Sequence, residues 1–206
     1  MNGNVKVNNL DQAYEQCVQL YNVVSNQGKS LITSLKSNIN SLKGNWIGSD
    51  ATLHINHLID IYDSLGLIVS ETGKIVSAVS EGVINIQRVR RANGGAGNVG
   101  DSLPTTFEAA EAIADVADTV EYDCKPGAKS DQMLLSGICM EYDNFHTEFN
   151  SAKETLLANW QEGSNREGAV RLFNEFQEVS AANKTKLREA LDNLTTAVNN
   201  ISQLNQ

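Results

Sequence analysis

Two short stretches of this sequence decide the fold, Leu42–Gly48 (LKGNWIG) and Leu156–Gly163 (LLANWQEG). In each stretch a long pattern of apolar residues stops at an Asn-Trp pair and a glycine, and a second long pattern then begins. Trp46 and Trp160 are the only two tryptophans of the 206-residue chain, and an offset of 114 residues (160 minus 46) superimposes them. The sequence therefore predicts a duplicated helical hairpin, with one tryptophan at the corner of each copy.

The same ungapped offset aligns apolar residues far from the corners. From Leu10 to Leu42, ten positions are separated by alternating steps of four and three residues, and eight of them are apolar; Gly28 and Asn38 are the exceptions. This heptad spacing is typical of long helices that pack nearly parallel to a partner. We expect the bundle interface to contain ten large apolar residues of the two copies: Leu35, Leu42, Leu58, Tyr62, Leu65, Phe145, Phe149, Leu156, Phe173 and Phe176.

These patterns predict an all-α protein made of two long antiparallel helical hairpins, residues 1–92 and 130–206. Residues 93–129 are expected to form a glycine-rich linker that carries one short helix after Pro104. A lone hairpin leaves an apolar face open, and here the same chain supplies a second hairpin to cover it. The expected architecture is an elongated four-helix bundle, a monomeric pseudo-dimer.

Three helix starts carry capping signals. Asn9 with Gln12, Thr105 with Glu108 and Ser164 with Glu167 have the spacing of an N-cap and its partner three residues later. They predict the first long helix, the short linker helix and the last long helix, respectively.

Charge and composition exclude several classes of protein. The net charge is −9, and residues 101–206 hold 18 acidic and 8 basic residues. Nucleic-acid binding needs clustered basic residues, so it is not expected. No apolar run approaches the ~20 residues of a membrane span, and no secretory signal opens the chain. We expect synthesis in the cytoplasm, export (if any) without a signal peptide, and three reduced cysteines.

No motif points to catalysis or to a cofactor. Gly95–Gly100 matches G-x-G-x-x-G, but a helix pattern precedes it where a dinucleotide site needs a strand, so a linker is expected. His54 and His57 lie one helical turn apart without a convincing third metal ligand, and we expect them to face solvent. The prediction is a non-enzymatic protein with no metal and no cofactor.

The position of Trp46-Ile47-Gly48 between two long amphipathic helices resembles the WXG100 (ESAT-6-like) family of type VII secretion systems. The opening residues also resemble a Gram-positive branch found beside LXG-type secreted toxins. Two departures stand out: the second corner, Trp160 to Gly163, is one residue longer, and no tyrosine is followed four residues later by Asp or Glu, the export signal of the family.

The resemblance implies a secreted substrate, or a targeting partner of a larger effector, that acts by protein–protein interaction. Its implied partners are the secretion machinery and an LXG-type effector. Trp46 and Gly48 are then expected to contribute to recognition, while Trp160 and Gly163 complete the bundle. The alternative is a cytoplasmic coiled-coil adaptor or structural protein, in which both tryptophans only fill the core.

Overall fold

The computed structural model describes residues 5–107, 110–163 and 166–204 and is mostly helical, with 77% helix. An all-α protein was predicted, and the helix content agrees. The elements in chain order are β1 (Val5–Val7), α1 (Leu10–Asn22), a π-helical segment (Val23–Gly28), α2 (Lys29–Asn45), β2 (Trp46–Ile47), α3 (Ser49–Ala92), β3 (Asp123–Cys124), α4 (Ala128–Asn159), β4 (Trp160–Gly163) and α5 (Arg166–Leu204).

Helix α1 begins at the predicted cap. The Asn9 side-chain oxygen accepts hydrogen bonds from the backbone N–H groups of Asp11 and Gln12, which satisfies two of the donors that a helix start leaves free. The π-helical segment then joins α1 to α2 without a break. Its last residue, Gly28, has no room for a side chain, because a Cβ there would lie 2.5 Å from Val69 Cγ2.

The ten predicted interface residues, from Leu35 to Phe176, are all buried. The helix faces predicted from the heptad spacing are therefore buried. That these faces form an interface between the two hairpins stays a prediction. The most closely packed aromatic pair is Phe149 with Phe176, whose ring centroids lie 4.5 Å apart in edge-to-face geometry.

The chain divides into two compact units, and each takes residues from both predicted hairpins and from the linker. The first unit contains residues 1–28, 67–109 and 145–178; the second contains residues 29–66, 110–144 and 179–206. The boundaries of the two predicted hairpins and of the linker stay predictions. The two ends of the chain, Met1–Asn4 and Asn205–Gln206, lie outside the described residues.

The prediction of a short helix in the linker was wrong, since residues 101–107 and 110–119 have no helical backbone. From Phe107 onward, every third described residue is half-buried: Phe107, Ala110, Ile113, Val116 and Thr119. A period of three fits an extended polyproline-like chain, whereas a helix repeats every 3.6 residues. Glu108, of the predicted cap at Thr105, lies outside the described residues, and so do Ser164 and Asn165 at the start of α5.

None of the helices in the described part of the chain combines the length and apolar character needed to cross a membrane. All three cysteines are free thiols; Cys17 and Cys124 are buried and Cys139 is half-buried. Burial raises the pKa of Cys17 to about 12, so its thiol stays protonated at neutral pH.

Candidate functional site: two corner clamps and an extended segment

The Trp46 corner lies in the second unit, and its tryptophan is only 2% exposed. The indole is stacked on the His54 ring of α3, with centroids 5.9 Å apart and an interplanar angle of 5°. Strand β2, which contains Trp46 and Ile47, pairs antiparallel with β3, so that Trp46 lies opposite Cys124. The strand that precedes helix α4 therefore closes the corner between α2 and α3.

Asn45, the residue before this tryptophan, ties the corner to the start of α4. Its carbonyl accepts from the Lys125 backbone N–H at 2.8 Å, and its side-chain amide donates to the Asp131 carboxylate at 2.8 Å. The Asp131 carbonyl in turn accepts from the buried Asn38 side chain at 3.0 Å. Asp131 is itself buried, so the hydrogen bond from the Asn45 amide compensates a carboxylate that has left water.

The Trp160 corner lies in the first unit and is built alike. Trp160 is fully buried, its indole N–H donates to the Glu162 carbonyl at 3.1 Å, and its own carbonyl accepts from Arg166 Nε at 2.6 Å. Strand β4 pairs antiparallel with β1, with Val5 opposite Gly163. Here the strand that precedes α1 closes the corner between α4 and α5.

Asn159 is the counterpart of Asn45 under the 114-residue offset (159 minus 45), and it holds the start of α1. Its carbonyl accepts from the Asn8 N–H at 3.1 Å, its side-chain oxygen accepts from the Asn9 N–H at 3.0 Å, and its side-chain amide donates to the Asn9 carbonyl at 3.1 Å. We call each set of contacts a corner clamp: Asn45, Trp46, β2 and β3 in one unit, and Asn159, Trp160, β4 and β1 in the other.

The glycines of both corners have positive φ angles, +137° at Gly48 and +154° at Gly163. Residues with a Cβ rarely adopt such backbone, so the helix can restart after the strand only because glycine stands there. Both glycines were predicted from the motif; Gly48 lies between β2 and α3, and Gly163 is the last residue of β4. Gly48 also lies under Tyr122, since a Cβ on it would be 3.0 Å from the Tyr122 Cδ2 atom.

The prediction for His54 was wrong, because this histidine is only 7% exposed. Its position on α3 places it under the indole, and its Nδ1 has no hydrogen-bond partner among the described residues. Burial, and then the neighbouring His57, lower the pKa of His54, while Asp50 and Glu189 act in the opposite direction. His54 is therefore neutral at pH 7 and serves as an aromatic surface for Trp46.

Residues 110–124 lie against α2 and α3 in the second unit, and polar side chains of those helices bind their backbone. Tyr62 donates to the Glu111 carbonyl at 2.9 Å, and Lys43 donates to the Ala114 carbonyl at 2.5 Å. Asn56 forms two hydrogen bonds with Val116, donating to its carbonyl at 3.1 Å and accepting from its N–H at 2.8 Å.

The same surface of α2 and α3 also contacts the segment through an ion pair and through a close approach at a glycine. Lys36 forms an ion pair with the Glu111 carboxylate, which lowers the pKa of Glu111 and raises that of Lys36. Gly66 on α3 leaves space for the segment, because a Cβ there would lie 2.6 Å from the Ala110 Cβ.

Residues 100–107 lie against α1 and α3 in the first unit. The Tyr14 hydroxyl donates to the Asp101 carbonyl and accepts from its N–H, both at 3.0 Å. Ser77 donates to the Pro104 carbonyl at 2.6 Å. Phe107 lies over Gly73, where a Cβ would come within 2.1 Å of its ring. Helix side chains thus satisfy the backbone of this segment too.

Sequence reasoning missed the two clamping strands and the bound segment. Asn45 and Asn159 were visible as matched residues, but nothing in the repeat indicated what they would bind. Groups of three or more metal-ligating side chains are absent from the part of the chain that the structure describes. Comparisons of the chain with protein-family models, curated proteins and solved structures find no match.

Proposed function

We propose that this protein is a non-enzymatic component of a type VII secretion system, either a secreted substrate or a targeting partner of a larger effector. The observation that supports the proposal is the pair of corner clamps. Each clamp joins the Asn-Trp corner of one predicted hairpin to the strand that precedes the first helix of the other hairpin. Such reciprocal strand pairing would hold two hairpins of a single chain together.

We further propose that the helices form an elongated four-helix bundle, in which the two hairpins of one chain pack together as an intramolecular pseudo-dimer. Its support is the burial of apolar residues from all four predicted helix faces. If the hairpins cover each other, the protein is a monomer in sedimentation velocity, and an obligate dimer would contradict the pseudo-dimer.

At the Trp46 corner, the exposed residues are not those of the Trp-Ile-Gly motif. Trp46 is buried, whereas Tyr122, which covers Gly48, is 65% exposed, and the neighbouring Val120 is also exposed. Three acidic residues, Asp118, Glu121 and Asp123, are interspersed with them along the chain. We propose that this apolar and acidic patch, rather than the indole, is the part of the corner that the secretion machinery contacts.

The decisive experiment compares culture medium from a wild-type strain and from a strain that lacks the secretion ATPase. We expect the protein, or the effector that co-purifies with it, to disappear from the medium of the deletion strain. Unchanged extracellular levels, together with no co-purifying secretion component, would refute the assignment.

A second candidate function is a cytoplasmic coiled-coil adaptor, favoured by the burial of both tryptophans. Replacing either tryptophan with Leu therefore tests folding as much as recognition, since losing a buried aromatic costs several kcal/mol, about 3–5 for a change to Ala. A surface variant separates the two functions better.

Tyr122→Ser combined with Val120→Ser removes exposed apolar area and leaves the helices intact. Loss of export or of partner binding with unchanged helicity supports the secretion assignment. Met140→Ser, which removes a similarly exposed apolar side chain from α4, is the matched control and should leave export unchanged. Normal export of the double variant would mean that this patch is not the recognition surface.

A further inference from the structure

The surface of α2 and α3 that holds residues 110–124 has the properties of a peptide-binding site. Three helix side chains, Lys43, Asn56 and Tyr62, bind backbone carbonyls of the segment, and Asn56 also binds a backbone N–H. Every peptide carries these backbone groups, so the surface does not require this particular sequence. Main-chain binding combined with a few side-chain preferences is how proteins commonly recognise extended peptides.

The bound segment shows which chemistry the surface prefers. Five acidic residues and no basic residue lie between Ala110 and Cys124. The helix side presents Lys36 and Lys43 to it. Gly66 requires a small side chain at the position of Ala110. An extended chain with an acidic residue at the position of Glu111 and a small residue at the position of Ala110 is therefore the ligand that fits.

Most side chains of the segment are exposed to solvent. Between Ala110 and Thr119 it forms neither helix nor strand, and six of the ten side chains are exposed. Regions with few buried apolar contacts and solvent-exposed hydrogen bonds open at low free-energy cost. Local opening of this segment would bare the α2/α3 surface without unfolding the helices.

We propose that this surface binds an extended acidic segment of a partner protein, and that residues 110–119 occupy it in the absence of that partner, while β3 stays paired with β2. A tethered segment competes at an effective concentration on the order of millimolar. A free peptide then binds the wild-type chain weakly, and a partner that also docks elsewhere on the protein overcomes the competition. The inference names a class of partner and holds whether or not the protein is exported.

The test uses the full-length chain and a fluorescent synthetic peptide with the sequence of residues 110–124. Val116→Pro removes the N–H that donates to Asn56 and loosens the tethered segment. Ala117→Pro, one residue later, is the matched control, because that N–H has no hydrogen-bond partner among the residues that the structure describes. We expect the peptide to bind the Val116→Pro chain about tenfold more tightly than the wild type or the control.

Two further variants identify the site. Adding Asn56→Leu to Val116→Pro should weaken peptide binding by about tenfold, because both hydrogen bonds to the peptide backbone are lost. A peptide in which Gln replaces Glu111 should also bind less well, because Lys36 loses its ion-pair partner. Equal affinity of all chains for the peptide, or binding that survives Asn56→Leu, would overturn the proposal.

A measurement on the wild-type chain removes any dependence on a variant that folds poorly. Excess unlabelled peptide should speed hydrogen exchange of the tethered Val116 amide, because the peptide takes its place on Asn56. Unchanged exchange at saturating peptide would count against displacement. A wild-type dimer in sedimentation without peptide would instead make a second copy of the chain the occupant and would overturn the choice of partner.

Discussion

Replacing Gly73 with Ala should destabilise the wild-type protein but stabilise a chain that lacks the Phe107 ring. Gly73 lies within helix α3, where Ala is more favourable than Gly by about 1 kcal/mol. A Cβ at this position would lie 2.1 Å from Phe107 Cζ, whereas non-bonded carbon atoms settle at about 3.5–4.0 Å. The ring must therefore move by roughly 1.5 Å or leave its place.

The expected magnitude follows from these two opposing terms. Overpacking costs about 1–3 kcal/mol, so with about 1 kcal/mol of helix propensity gained, Gly73→Ala should lower the free energy of unfolding by about 1 kcal/mol. In a Phe107→Ala chain the clash is gone, and the same substitution should raise the free energy of unfolding by about 1 kcal/mol. The coupling between the two sites is then about 2 kcal/mol.

The assay is urea unfolding of the wild type, both single variants and the double variant, followed by far-UV circular dichroism and tryptophan fluorescence. Coincident transitions justify a two-state treatment. Gly137→Ala in helix α4 is the matched control, because a Cβ there meets nothing within 4 Å and only helix propensity changes. If Gly73→Ala stabilises the wild type as much as Gly137→Ala does, Phe107 does not lie over Gly73 and the reasoning is refuted.

Three further predictions concern the clamps and the core. Asn159→Ala should lower the free energy of unfolding by roughly 2 kcal/mol in urea titrations, because it removes two hydrogen bonds to the Asn9 backbone, and a neutral result would contradict the clamp. The pKa of His54 is lower in the folded than in the unfolded chain, so its contribution to stability is fully present above the unfolded value of about 6.5 and is lost as the pH falls below it through the lower pKa of the folded chain. His54→Phe should keep the stacking on Trp46 and reduce the fall in the urea midpoint between about pH 7.5 and about pH 5.5; an identical fall in both chains would exclude His54 as its source. Cys17, whose pKa burial raises to about 12, should react with a thiol reagent only in urea, and rapid labelling of the native protein would show that the α1 core opens readily.

The helices could be predicted because their signals are local. Heptad spacing sets which face of α1 and α2 is apolar, and the residues at Leu35 and Leu42 are buried as that spacing indicates. The Asn9 cap and the glycines at positions 48 and 163 also act within a few residues of their own position. Such short-range features are properties of the chain itself and do not depend on its partners.

The linker could not be predicted because its conformation depends on what it binds. Pro104, Thr105 and the spacing of Phe107 and Ala110 satisfy a helical pattern, yet residues 101–107 and 110–119 have no helical backbone. Tyr62 and Asn56 supply hydrogen bonds to its backbone that a helix would otherwise make internally. A sequence pattern shows that a residue can form a helix, but competition from another surface is a tertiary effect.

By itself, the sequence predicted a mostly helical protein with two matched Asn-Trp-glycine corners. Only the tertiary structure decided what those corners do. It placed Trp46 over His54, brought β3 to one corner and β1 to the other, and gave Asn45 and Asn159 different partners. The reason is that a clamp consists of backbone hydrogen bonds between segments more than 70 residues apart, and backbone groups are the same at every position of a sequence.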